Sequence, residues 1–328
     1  MTVLVTGGAG YIGSHMVLQL LENDERVVVL DDLSTGFRWA VPRSVPLIVG
    51  DFGDDELVAD LLRRYEIEAI AHFAAKIVVP ESVADPLGYY ENNTAKARGL
   101  LHCAVKHGVP HFIFSSTAAV YGEPTAIPVR EDAATAPINP YGRSKLMVEW
   151  MLEDTSRAHA LSYVALRYFN VAGADPNGRT GQSTPNATHL IKTAVQCALG
   201  MRQGMDVFGV DYATPDGSCV RDYIHVTDLV RAHMNALNHL RDGGESMTCN
   251  VGYARGYSVL EVIDAVKRVS GVEFDVRIVG RRPGDPARIV ASNDRIRSLG
   301  WIPRHENLDE TVRQALDWER ELAVRMAA

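Results

Sequence analysis

The chain has 328 residues, 46% hydrophobic and 23% charged, enough for one large domain or two moderate ones with real cores. Its net charge of −8 argues against a nucleic-acid partner, which needs a basic face, yet leaves room for a small anion held by two or three arginines. Cys103, Cys197, Cys219 and Cys249 show neither CxxC nor metal-ligand spacing, so no metal is expected and a reducing compartment fits.

"VLVT" (3–6) reads as the first strand, and the Gly at position 7 leaves no room for a signal-peptide core ahead of it. No apolar run approaches the ~20 residues that span a bilayer, so the expectation is a cytoplasmic protein without a membrane partner. "TGGAGYIG" (6–13) follows, with Gly7, Gly10 and Gly13 at GxxGxxG spacing, and opens the helical run 14–23. Glycines there permit a tight turn and aim a helix N-terminus at a pyrophosphate. The second strand (27–31) ends at Asp31, eighteen residues past Gly13. A carboxylate there accepts from both ribose hydroxyls and repels a 2′-phosphate, which favours NAD as cofactor over NADP. A third strand (46–51) ends at Asp51, a candidate adenine contact.

Further apolar runs at 69–74, 111–116 and 162–168 complete a set of short strands alternating with helices. Short, continuously apolar strands separated by helices imply a Rossmann-type, doubly wound parallel α/β sheet. Residues 172–186, rich in Gly, Pro, Asn and Thr, read as a long functional loop. Helices near 188–200, 226–240, 258–270 and 308–326 then build a smaller α/β lobe over the sheet's carboxyl edge. The expected division is a nucleotide domain of residues 1–172, with a returning segment near 224–253, and a substrate lobe in the rest of 173–328.

"NPYGRSKLMVEW" (139–150) places Tyr141 and Lys145 four apart at the start of a helix, on one face. A phenol must fall about three pKa units to act as a base near neutrality. Burial moves it the wrong way, so cations are required: Lys145 and an oxidised nicotinamide. A third group is expected at the end of the fifth strand, where Ser115, Ser116 and Thr117 are all candidates.

These features together resemble the extended short-chain dehydrogenase/reductase superfamily. The resemblance selects Thr117, three residues before "VYG", and leaves Ser116 as a structural hydroxyl. The series "VTGGAGYIGSH", "LDDLSTG", "DPLGYYENN", "PYGRSKLMVE", "LRYFNVAGA", "VRDYIHVTDL" and "GDPARIVAS" covers essentially the whole chain and resembles the family of UDP-glucose 4-epimerases. That resemblance implies inversion at C4 of a UDP-hexose through a transient 4-keto sugar. It adds Tyr11, Ile12, Phe73, Asn93 and Tyr168 to the cofactor site. It puts Asn170, His189, Leu190, Phe208 and Tyr223 on the UDP-sugar, with Arg221 and Arg282 on the diphosphate and Asp285 on the uridine ribose. It also implies a homodimer joined by a four-helix bundle of helices near 92–107 and 142–158. Ile77 stands where many relatives carry Lys, His189 where some carry Asn, and Ile289 at the position that gates the sugar pocket. The rivals are a C4 epimerase of another UDP-sugar, a nucleotide-sugar dehydratase, and a non-catalytic NAD sensor. Ala118 and Ala119 occupy the places where related dehydratases keep an acid–base pair.

Overall fold

Each apolar run expected as a strand is one in the computed structural model, which describes residues 1–185, 187–282 and 285–327. The sheet runs, from one edge to the other, Met247–Val251, Ser162–Tyr168, His111–Ser115, Ala69–His72, Thr2–Thr6, Arg26–Asp31 and Leu47–Val49, with every pair parallel. This is the expected Rossmann-type α/β sheet. Its strand order reverses between Thr2–Thr6 and Ala69–His72, and ligands bind at the carboxyl ends beside such a reversal.

Successive side chains of a strand face opposite layers. Val3, Val5, Val27 and Val29 pack with Met16, Val17 and Leu20 of the helix Tyr11–Leu21 and with Leu229 and Leu237 of the helix Val226–Arg241. Leu4, Val28, Ile70, Phe112 and Phe114 pack on the other side with Leu61, Leu100, Val148 and Leu152. Those four come from the helices Asp55–Arg64, Lys96–Lys106 and Pro140–Ala158. Coverage on both faces explains why the strands read as unbroken apolar runs.

Several boundaries differ from the sequence reading. The third strand stops at Val49, because Asp51 turns out of the sheet and accepts the Gly53 N–H at 2.8 Å. The fourth stops at His72, where the chain passes over the Gly7 turn. Gly7 has φ +71°, and a Cβ there would lie 2.6 Å from the Ala74 nitrogen. The first helix begins at Tyr11, three residues earlier than its apolar face suggests. The helix near 92–107 opens with a π turn, Glu91–Ala95. Asn170–Ala172 forms a strand, parallel to Tyr223–His225.

A second core lies among the helices Leu190–Ala198, Val259–Ser270 and Leu308–Ala327, where Val195, Val262, Val266, Val312 and Leu316 meet. Strands Gly204–Phe208 and Asp275–Val279 pair beside it, and Val220–Arg221 lies between Tyr257–Ser258 and Arg288–Ile289. Asn186 of the expected loop and Gly284 of "GDPARIVAS" lie outside the described residues. No described helix is long and apolar enough to cross a membrane.

Candidate active site

The helix Tyr11–Leu21 starts at Gly10 with no side-chain cap and no acidic residue in its first turn. The N–H groups of Tyr11 and Ile12 therefore lack helical acceptors and face the sheet's carboxyl edge, a setting that suits a pyrophosphate. Asp31 accepts the N–H of Ala9 at 2.9 Å and of Leu33 at 2.8 Å, which holds its carboxylate at the strand end. Burial raises its pKa, and these two bonds oppose the rise. The Tyr11 hydroxyl donates to the Gly173 carbonyl at 2.7 Å, tying the nucleotide turn to the second lobe. Phe73 packs its ring 4.9 Å from that of His233. Asn93 is buried with its amide committed to protein partners: it accepts from Lys76 N and donates to Lys76 O, both at 2.9 Å, and donates to Ser144 Oγ at 3.2 Å. Asp51 pairs its carboxylate with Lys96 Nζ at 2.5 Å.

Asn139 caps the helix Pro140–Ala158 by accepting the Gly142 N–H at 2.8 Å, and Pro140 takes the first helical position. A Cβ on Gly142 would lie 2.7 Å from the Ala119 carbonyl oxygen. Only glycine lets the helix start touch the Thr117 turn so closely, and Tyr141 is carried there with it. Burial pushes the Tyr141 phenol up, while its bond with the Thr117 hydroxyl pulls it down. Lys145 is 2% exposed and donates to the Ser115 carbonyl at 2.9 Å. Burial lowers its pKa to about 7, with Glu149 opposing. Ser115 Oγ bonds the Tyr168 hydroxyl, and Ser116 Oγ donates to Glu149. Of the three candidate hydroxyls, Thr117 is the one paired with Tyr141. Thr117 Oγ1 also accepts the Ala119 N–H at 3.1 Å.

A cleft opens where Tyr11 meets Asn170, Gly173, His189, Leu190 and Tyr223. His189 precedes the helix Leu190–Ala198 and shares a hydrogen bond with Gln182 at 3.1 Å. Burial, then the Lys192 charge, lower its pKa. Arg221 lies 3.8 Å from Asp285. The Arg282 guanidinium sits 4.0 Å from the Phe208 ring centroid. The Asp285 N–H donates to the Arg282 carbonyl at 3.3 Å, which joins these two pairs into one cluster. Ile289 registers with Arg221 and packs with Tyr121 and Leu146. Lys76 places its ammonium 5.9 Å from the Tyr89 ring centroid, and Ile77 is exposed.

Sequence reasoning missed the C-terminal helix as a wall of the cleft: Trp318 and Glu319 line it. Lys192 also lines it, donating to Glu319 at 2.6 Å and to the Gln182 carbonyl at 2.7 Å. The signal was a charge inside an apolar stretch, "LIKTAVQCA" (190–198), which a buried helix face tolerates only when the charge is paired. Glu149, on the inner face of "SKLMVEW" (144–150) and bound by Arg167, carried the same signal.

Residues 3–252 match the model of the NAD dependent epimerase/dehydratase family. The chain is 57% identical over 321 residues to a UDP-glucose 4-epimerase of Azospirillum brasilense, spanning 98% of this chain and 92% of that protein. It superposes with a TM-score of 0.94 on the UDP-glucose 4-epimerase of Brucella ovis in complex with NAD, at 42% identity, covering 96% and 97% of the two chains. The UDP-glucose 4-epimerase of Stenotrophomonas maltophila, with bound NAD and formylated UDP-arabinopyranose, gives 0.95 at 40% identity and full coverage of both.

Proposed function

The chain belongs to the NAD-dependent epimerase/dehydratase family, and we propose that it inverts C4 of a UDP-hexose, interconverting UDP-glucose and UDP-galactose. The observation that carries this reading is buried Lys145, one helical turn from Tyr141 and bound to the carbonyl of Ser115, two residues before Thr117, with Ala118 and Ala119 where a dehydratase needs an acid and a base.

The residues present fit NAD. Gly7 keeps the turn tight, the uncapped helix start offers its N–H groups to the pyrophosphate, and Asp31 presents a fixed carboxylate to a ribose. When bound, NAD supplies the reversible hydride acceptor at C4. The chain's own residues handle the proton. Tyr141, as phenolate, takes it from the 4-hydroxyl and returns it after the sugar has presented its opposite face. Thr117 holds the same oxygen, and Lys145 stabilises the phenolate. Arg221 and Arg282 hold the diphosphate while Phe208 and Asp285 hold the uridine, so the sugar turns on an anchored nucleotide. Asn170, His189, Leu190 and Tyr223, which line the cleft, are assigned to the UDP-sugar.

We extend the proposal to the chain's organisation. Residues 1–172 with 224–253 bind NAD, and the remainder of 173–328 binds the UDP-sugar. Two copies pair through the helices around 92–107 and 142–158, with Trp150 54% exposed on the second and Leu87 77% exposed on the short helix Pro86–Tyr90 that precedes the first. The four cysteines are buried and free, which suits the cytoplasm.

The test is whether NAD leaves the protein only on denaturation and whether turnover of UDP-galactose accumulates no NADH. Net NADH production would make the protein a dehydrogenase instead.

A further inference from the structure

Behind the catalytic groups lies a buried polar chain that the mechanism above does not use. Glu149 is 5% exposed, and its two oxygens accept from Arg167 Nε at 3.0 and 3.2 Å, with Arg167 Nη2 at 2.5 Å from Oε2. One of those oxygens also accepts the Ser116 hydroxyl. Arg167 continues to the Tyr121 hydroxyl at 2.9 Å, and Tyr121 donates to Asn250 Oδ1 at 2.7 Å. Asn250 Nδ2 ends the chain on the Val129 carbonyl at 2.9 Å.

A buried ion pair is weak evidence for stability, because an apolar replacement of similar volume is often as stable. Its placement suggests another use. Ser116, which Glu149 holds, sits between Ser115, whose carbonyl anchors Lys145, and Thr117, whose hydroxyl meets Tyr141. Glu149 also follows Lys145 by four residues, on the same buried helix face.

We propose that Glu149 is a positioning residue for the reaction: through Ser116 it fixes the main chain that carries Lys145 and Thr117, and its negative charge keeps Lys145 a cation beside Tyr141. This rests on the epimerase reading above. The groups around Lys145 are Tyr141 and Glu149 on its own helix, His72 on the fourth strand, and Tyr168 and Arg167 on the sixth, reached through Ser115 and Glu149. Burial lowers the His72 pKa to about 3, so that imidazole is neutral, and Glu149 is the anion of the set. Arg167 holds that anion in place and satisfies its remaining lone pairs.

The experiment compares holoenzymes of wild type, Ser116→Ala and Glu149→Gln in turnover of UDP-galactose across pH, with bound NAD and thermal unfolding measured alongside. Both variants are expected to keep NAD and their KM, with kcat down about 10- to 100-fold. In Glu149→Gln the alkaline limb, where Lys145 loses its proton, is expected to move about one unit lower. A lower melting temperature with kcat and both pH limbs unchanged would overturn the proposal. Should Glu149→Gln fail to fold, Ser116→Ala decides, and an unchanged kcat there overturns it. Wild type that fails to turn over UDP-galactose contradicts the epimerase reading; active wild type with unaltered variants contradicts only this inference.

Discussion

The Lys145 ammonium lies 2.9 Å from the carbonyl oxygen of Ser115. The cation that the proposed mechanism sets beside Tyr141 is thus anchored to the carboxyl end of the fifth strand, and the same three-residue stretch ends in the hydroxyl of Thr117. In the proposed mechanism a helix and a strand end together set the proton chemistry, and the glycine turn two strands away holds the cofactor.

Tyr141→Phe keeps the ring and its packing and removes the proton acceptor. A positioned acid–base group contributes about 10²- to 10⁴-fold, so kcat for UDP-galactose is expected to fall by that much. NAD content and UDP binding, read by absorbance and calorimetry, are expected to stay at wild-type values.

Lys145 also gives the NAD-free protein a pH signature. Its pKa is about 7 in the fold and about 10.4 in an unfolded chain. Between those values the unfolded chain holds a proton that the fold has released, so stability from this group rises with pH. Below about pH 7 both states are charged and the fold bears the full cost of burying the ammonium. Relative to Lys145→Met, the unfolding free energy of wild type is expected to gain about 2 kcal/mol from pH 7 to pH 9 in denaturant titrations.

Arg221 and Arg282 come from separate segments, one paired with Asp285 and one stacked on Phe208. If both grip a diphosphate that is anchored equally in ground and transition states, their loss raises KM and spares kcat. Arg282→Ala and Arg221→Ala are each expected to raise KM for UDP-galactose about 10- to 100-fold, with kcat within about threefold, in steady-state assays.

Leu87 and Trp150 are large apolar side chains left exposed near the two helices proposed to pair. Replacing both by Glu is expected to convert the proposed dimer to a monomer in size-exclusion chromatography with light scattering, with each chain still folded. A wild-type monomer at micromolar concentration would remove the dimer from the account.

Tyr141 and Lys145 are legible in the sequence because helix geometry alone puts residues four apart on one face. Asp31 and the glycines are legible because the strand, turn and helix that carry them are contiguous. The hydroxyl at the end of the fifth strand is only half legible: three candidates stand in a row, and Tyr168 and Glu149, from distant segments, draw two of them away. The cleft wall formed by Trp318 and Glu319 depends on how the last helix docks against Leu190–Ala198, which local pattern does not contain. The seventh strand, "MTCNV" (247–251), is too polar to announce itself, since its Asn250 serves the buried chain from Arg167. Asn93, which the resemblance adds to the cofactor site, has its amide bound to Lys76 and Ser144 from within the π turn, contacts that local pattern does not contain.

The most direct test is to incubate the purified protein with UDP-galactose and no added NAD and to separate the nucleotide sugars by chromatography. The account predicts UDP-glucose accumulating to a stable ratio, with the same ratio reached from UDP-glucose. Unchanged UDP-galactose from protein that still carries NAD, or a dehydrated product in its place, would contradict it.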